Sequence, residues 1–334
     1  MMRYSTSGLI TTSISLRNST SRQWSAVAAV MWAMLMTQAC LMGVARVEAG
    51  RVAAGGLRIN NRGGAKFVTQ TVLFQQNYQA FSDDNHARVL AGGEQVQLVL
   101  DQQAAAGFGS KSKYLFGNIG MYIKLVPGYS AGTVTSFYLS SNGSTHDELD
   151  FEFLGNITGQ PYILQTNVYA HGVGNREQRI NLWFDPTADF HYYSVNWNQN
   201  YVMFLVDNVP IRVFKNNQNL GVPYLNSQAM AVYTSLWDGS QWATEGGRVK
   251  IDWQYAPFIA TYEGFNVDGC AVQNNNNLAG CAVASSNKWA QAPALTWHQT
   301  NQLKWVRHRY LVYNYCTDKM RYPTPPTECG TSIL

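Results

Sequence analysis

The stretch His146-Asp-Glu-Leu-Asp-Phe-Glu-Phe-Leu-Gly-Asn156 decides how this chain reads. Glu148, Asp150 and Glu152 alternate with Leu149, Phe151 and Phe153. A strand sends successive side chains to opposite faces, so three acids share one face and three large apolar residues the other. Like charges at that spacing repel, and a strand built only for packing has no use for them. A solvated outer face and a calcium site are the alternatives, and the second lacks the spaced oxygen donors and sharp Gly turn of a calcium loop. The arrangement points to work on a substrate.

Working outward, residues 67–262 read as short alternating segments rich in Val, Ile, Tyr, Phe and Thr, broken by Gly, Asn and Asp. Val96–Leu100, Gly120–Leu125, Val134–Leu139, Gln165–Tyr169, Tyr192–Trp197, Tyr201–Val206 and Ile211–Phe214 are the clearest. Regular turn signals with no helical pattern between them predict an all-β, two-sheet sandwich. Asn198–Asn200 and Asp207–Pro210 read as hairpin connections. Beyond Asp268 the pattern changes to an Asn-rich loop, Gln273–Asn277, then a run where Leu303, Val306, Tyr310 and Tyr313 recur at helical spacing, read as a helix near Asn301–Tyr310. An irregular Pro-rich end follows.

Composition narrows the class. The chain of 334 residues is 46% apolar and only 13% charged, with 10 Trp, 19 Tyr and 14 Phe, which excludes global disorder. The formal charge of +4 comes mostly from Arg3, Arg17, Arg22 and Arg46 in the first 49 residues, where Glu48 is the lone acid; the remainder holds 20 basic and 19 acidic residues. No basic patch survives to track phosphates, so a nucleic-acid partner is not expected.

Those first 49 residues have the shape of a signal peptide: arginines, then the apolar run Ser25–Met42, then Val47 and Ala49 at the spacing of a cleavage site. Cleavage is expected after Ala49, with a site after Ala45 and a retained signal anchor as the alternatives, and no membrane association after processing. Cys40 leaves with the leader. Cys270, Cys281, Cys316 and Cys329 remain, an even number in an exported chain, and of three pairings Cys270–Cys281 with Cys316–Cys329 closes two short local loops. Export also makes the sequons at Asn142 and Asn156 glycan acceptors. The cysteine and histidine spacing predicts no metal site. His86, His171, His191, His298 and His308 share no spacing and read as structural or surface residues.

Retaining cleavage of a glycoside uses two carboxyl groups about 5 to 5.5 Å apart, one as nucleophile and one as acid/base. Residues i and i+4 of a flat strand are roughly 13 Å apart at the backbone, a gap that two glutamates on a concave, twisted strand can close. Asp150 between them would hold the pair in different protonation states.

Glu-x-Asp-x-Glu within His146–Asn156 resembles the signature of glycoside hydrolase family 16, and the whole string resembles its xyloglucan endotransglucosylase/hydrolase branch. Tyr114-Leu-Phe-Gly, Ile123-Lys-Leu-Val-Pro-Gly, Gln165-Thr-Asn-Val, Gly174-Asn-Arg-Glu-Gln, Leu182-Trp-Phe-Asp-Pro-Thr, Val209-Pro-Ile-Arg-Val-Phe-Lys-Asn and Trp242-Ala-Thr-Glu-Gly-Gly resemble further family segments in order. Tyr313-Asn-Tyr-Cys-Thr-Asp with Arg321-Tyr-Pro is similar to the branch's C-terminal extension. The resemblance implies a concanavalin-like jelly roll over residues 50–262 with a disulfide-stapled extension at 263–334. It implies Glu148 as nucleophile, Glu152 as general acid/base and Asp150 as helper. Glucan contacts would come from Gln165, Thr166, Asn167, Asn175, Arg176, Glu177, Gln241, Trp242, Gly246 and Arg321.

The expected protein is a secreted monomer of the cell wall and apoplast that needs neither metal nor organic cofactor. It would cleave xyloglucan and pass the glycosyl-enzyme to a xyloglucan or oligosaccharide acceptor. The same chemistry with water as acceptor, and a non-catalytic glucan-binding sandwich, are the alternatives. Two departures from the family pattern bear on the cleft. Ala80-Phe-Ser-Asp-Asp-Asn-His86 replaces a Trp-Gly before Asp-His, and Gln241 stands where Asp is common.

Overall fold

The computed structural model describes residues 71–272, 278–283, 290 and 292–330. The expected leader with Cys40 and the Asn-rich 273–277 lie outside the described residues. Among the described residues fifteen strands form one hydrogen-bonded network: β1 Tyr78–Ala80, β2 Ala87–Leu90, β3 Gln95–Leu100, β4 Ala106–Lys124, β5 Thr133–Ser140, β6 Glu148–Leu154, β7 Ile163–Tyr169, β8 Gln178–Asn181, β9 His191–Trp197, β10 Tyr201–Val206, β11 Val209–Lys215, β12 Met230–Asp238, β13 Phe258–Glu263, β14 Asp268–Val272 and β15 Leu311–Asn314. Helices α1 Phe74–Asn77, α2 Leu278–Val283 and α3 Trp297–Arg309 complete the named elements.

Two layers arise because β4 serves both. Its first half pairs with β1 and β12, its second half with β9 and β13, and Phe116 between them has a left-handed φ of 69°. One layer runs β1-β4-β12-β5-β6-β7-β8-β15, and the other runs β11-β10-β9-β4-β13-β3-β2. A glycine follows the kink for a steric reason: a Cβ on Gly117 would meet the Asp268 carbonyl oxygen at 2.8 Å, where β14 closes on β4. Two-residue hairpins need a twist that matches the strands, and Asp207 and Asn208 supply it with φ values of 49° and 64° between β10 and β11.

The apolar face of β6 meets the second layer directly. Phe151 lies edge-on to Phe204 at 5.2 Å and to Tyr193 at 6.2 Å, and Phe153 lies edge-on to Tyr193 at 4.6 Å. Leu149, Phe151 and Phe153 are fully buried, and each such side chain contributes roughly 2 to 3 kcal/mol of transfer free energy. That burial fixes which face of β6 is left for the acids.

The C-terminal segment differs from its sequence reading in two places. The helix starts at Trp297 rather than near Asn301, because Thr296 and Gln299 form a capping box: the Thr296 hydroxyl accepts from the Gln299 amide at 3.2 Å and the Gln299 side chain accepts from the Thr296 amide at 2.9 Å. Tyr313, counted with that helix on spacing, lies in β15 instead. The expected irregular end thus contains a strand, which satisfies the open edge of β8 and lengthens the acid-bearing layer. Near Ala292 and Leu295 the chain covers Tyr201, Met203 and Leu205, the outward side chains of β10. Cys270–Cys281 and Cys316–Cys329 are both bonded, as the short-loop pairing predicts.

Candidate active site

β6 lies between β5 and β7, and the register sets the surroundings of each acid. Glu148 faces Ser140 and Tyr169, Asp150 faces Tyr138 and Asn167, and Glu152 faces Ser136 and Gln165. Directly paired residues share a face, so these side chains form three rows across the layer. In the Glu152 row, Gln165 Nε2 donates to Glu152 Oε2 at 2.7 Å while Gln165 Oε1 accepts from Arg179 Nε at 2.7 Å. Both ends of the amide are used, so its orientation is fixed. Arg179 also lies 5.7 Å over the Tyr313 ring of β15. In the Asp150 row, Tyr138 stacks on Tyr233 at 5.3 Å, and Phe81 leans on Tyr233 at 6.1 Å. In the Glu148 row, His146 Nε2 lies 3.8 Å from Glu148 Oε2, and His146 Nδ1 donates to the Gly143 carbonyl at 2.7 Å.

Burial raises all three carboxyls, with different opposition at each. At Glu148 it is countered by His146 and by hydrogen bonds with Ser140 and Asp150. Asp150 is pushed well above the usual carboxylate range by burial and then by its two glutamate neighbours, with Arg212 pulling the other way. Glu152 is pushed up to about 7 by burial, with the Gln165 hydrogen bond opposing and the charges of Glu148 and Glu177 adding to the rise. Burial and mutual repulsion both oppose three anions here. The ladder holds protons near neutrality and divides into acid and base, the condition for two carboxyls to take different roles.

The expected glucan contacts fall into separate groups. Arg321 Nη1 donates to Glu177 Oε2 at 2.6 Å and Nη2 to Asn175 Oδ1 at 2.7 Å, which joins those three at the β8–β15 end of the layer. Gln165 and Asn167 share the acid face. Thr166 does not: strand alternation turns it into the core, where it is 2% exposed and its hydroxyl accepts from Arg212 at 3.0 Å. The Arg176 guanidinium is engaged elsewhere, with Nε donating to Glu328 Oε1 at 2.7 Å and Cζ 5.6 Å over the Phe214 ring. Gln241, Trp242 and Gly246 follow β12. Trp242 packs on Trp237 at 6.2 Å above Val134 and Leu154, Gln241 is exposed, and a Cβ on Gly246 would meet open space. Among the described residues no contact joins that group to Arg321.

Sequence reasoning passed over Arg179, Tyr138, Tyr169, Tyr233 and His146. His146 opens the decisive stretch and its place before Glu148 was a usable signal. The others reach the acids through β-pairing across 12 to 95 positions, which no local pattern shows. Of the sequon residues, Asn156 Nδ2 donates to the Pro161 carbonyl at 3.0 Å, and Asn142 Nδ2 donates to the Tyr233 hydroxyl at 3.3 Å.

The family model described as glycosyl hydrolases family 16 matches residues 74–255, and that of the xyloglucan endo-transglycosylase C-terminus matches residues 284–329. The chain is 54% identical over 258 residues to xyloglucan endotransglucosylase protein 34 of Populus tremula x Populus tremuloides, covering 77% of this chain and 88% of that one. It is 54% identical over 261 residues to xyloglucan endotransglucosylase/hydrolase protein A of Phaseolus angularis, with the same coverage. Among solved structures it is similar to the Bacillus licheniformis beta-glucanase, at 23% identity and a TM-score of 0.45 over 56% of this chain and 89% of that one. On the extent of the family match and the identity to these relatives, the chain belongs to glycosyl hydrolases family 16, among the xyloglucan endotransglucosylase/hydrolases.

Proposed function

We propose that this protein cuts the β-1,4-glucan backbone of xyloglucan with retention and transfers the glycosyl-enzyme to another xyloglucan chain end. The observation that carries the reading is the Glu152 row. A glutamate pushed up to about 7 and oriented by Gln165 is an acid at mildly acidic pH, and it shares its face with a second glutamate at i−4.

Glu148 attacks the anomeric carbon while Glu152 protonates the departing glycosidic oxygen. Asp150 hydrogen-bonds Glu148, and the raised Asp150 carboxyl holds the proton of that bond when Glu148 is ionised. Once the leaving chain departs, Glu152 is ionised and takes the proton of the incoming hydroxyl. Tyr138, Tyr233 and Phe81 offer apolar faces on one side of the acids, where Phe81 stands in place of the family's Trp-Gly. Asn175, Glu177 and Arg321 offer polar groups on the other side.

Transfer rather than hydrolysis is favoured by β15, which extends the layer beyond β8 and carries Tyr313 toward Arg321. An acceptor held there competes with water at roughly 55 M, because effective molarities of oriented groups reach about 10⁵ M or more. The protein acts as a secreted monomer in the cell wall, where its polysaccharide is found, with glycans at the half-buried sequon residues Asn142 and Asn156. Incubation with xyloglucan and a fluorescent xyloglucan oligosaccharide tests the reading. Label enters polymer at a rate above reducing-end release, and release without incorporation at saturating acceptor makes the protein a hydrolase instead.

A further inference from the structure

The largest fully buried side chains are tyrosines, phenylalanines, a tryptophan and one cation, Arg212, at 1% exposure. It lies on β11 and reaches across the sandwich to the back of the acid-bearing layer. Nη1 donates to the Thr166 carbonyl at 2.9 Å and to its hydroxyl at 3.0 Å, and Nη2 donates to the Arg176 carbonyl at 2.6 Å. The guanidinium stands over the rings of Phe204 at 5.5 Å and Tyr315 at 5.9 Å. Its Nε has no partner, and among the described residues no carboxylate forms an ion pair with it. Burying a cation without a carboxylate is costly, and the carbonyls and aromatic faces offset only part of that cost.

Of the three acids, Asp150 is the one on which the Arg212 charge bears, and it lies on the far side of the Phe151 layer. Phe204, under the guanidinium, touches Phe151, which separates Asp150 from Glu152 on β6. Thr166, held by the fork, is the β7 partner of Phe151 and sits between Gln165 and Asn167, the partners of Glu152 and Asp150. Other charged or titratable groups near Arg212 are Arg176 and Glu177 before β8, Arg307 on α3, and Tyr315 and Glu328 of the C-terminal segment. Arg176 is paired with Glu328 and Glu177 with Arg321, so these largely cancel. Burial lowers Arg212 only to about 10, so it is charged at any working pH of a wall enzyme.

We propose that Arg212 is a positioning residue of the reaction, the buried counter-charge that lets three acids stacked on one strand hold the anion a nucleophile needs. It acts from behind the sheet, without touching the sugar, through the low-dielectric core that also keeps its field from being screened. This rests on the assignment of Glu148 and Glu152, and the two fail differently: a wrong nucleophile leaves Glu148→Ala active, whereas a wrong Arg212 leaves a pH profile in place.

The test compares Arg212→Gln, which keeps amide donors for the two carbonyls but no charge, with Arg212→Lys. Without the charge the carboxylate is harder to form, so the acid limb of the kcat/KM profile for transfer moves to higher pH by about one unit. On the acid side that is about a tenfold loss, carried by kcat, with the acceptor KM within about twofold. Arg212→Lys returns the limb toward its wild-type position. A folded Arg212→Gln with a lower melting temperature and an unmoved limb overturns the proposal, since a purely structural residue behaves that way. Should Arg212→Gln not fold, the double variant Arg212→Gln/Glu148→Gln decides by its folding, because Glu148 is the carboxyl that ionises and deleting its charge removes the need for the cation. Recovery of folding supports the counter-charge, and failure of the double variant overturns it.

Discussion

At the scale of single residues the site depends on two glutamates that burial treats unequally. Glu148→Ala removes the covalent step, and transfer and hydrolysis both fall by about 10⁴-fold or more while circular dichroism and glucan binding persist. Near-normal turnover by the folded variant would sink the assignment. Glu152→Gln keeps the amide-sized shape beside Gln165 but supplies no proton, so xyloglucan cleavage drops by roughly 10² to 10⁴-fold. An activated glycoside, which needs no protonation, still forms the adduct on Glu148, visible by intact mass. The same pair sets the pH profile. Activity falls on the acid side as Glu148 takes up a proton, and on the alkaline side near pH 7, where Glu152 loses the one it donates. In Glu152→Gln, assayed on the activated glycoside, the limb near 7 disappears, and its survival would mean that another group is the acid.

At the scale of elements the C-terminal segment acts on the site through β15 and one disulfide loop. Cys316–Cys329 encloses Arg321, which holds Glu177 and Asn175, and Glu328, which holds Arg176. A loop of that size contributes about 2 to 4 kcal/mol. Neither disulfide joins strands of the acid-bearing core, so reduction, or Cys316→Ala/Cys329→Ala, leaves the far-ultraviolet β signal in place. The acceptor KM rises several-fold, because Arg321 is no longer held against β8. Unchanged acceptor KM after complete reduction would show that the loop has no part in binding. The helix at this end illustrates why an element boundary escapes sequence periodicity. Only Leu303 and Val306 of α3 are buried, so the apolar pattern is short, while the cap at Thr296 is a local polar exchange that starts the helix a turn earlier.

At the scale of the whole molecule the acid ladder costs stability, and pH reveals how much. Glu152 titrates at about 7 when folded against 4.5 ordinarily, so between those values the folded protein keeps a proton that the unfolded chain has released. Stability from this group is therefore present below about pH 4.5 and is lost as pH rises toward 7. Glu152→Gln does not titrate, and its advantage over wild type in thermal unfolding grows from pH 4.5 to pH 8 by on the order of 2 kcal/mol, or about 4 to 8 °C. A pH-independent difference would show that the ladder is not strained by burial. Alternation along Glu148–Leu154, the turn signals around it and the spacing of four cysteines were enough for the sequence alone to determine a two-sheet sandwich, an acid face and two local disulfides. Each of these depends on neighbours within a few residues, or on loops too short to close otherwise. Which side chains meet the acids was decided only by tertiary structure. Strand register brought Arg179, Tyr233 and Tyr138 to the ladder, turned Thr166 into the core, and set Arg212 behind β7, because pairing between distant strands is selected by the burial of whole faces and leaves no mark on any local pattern.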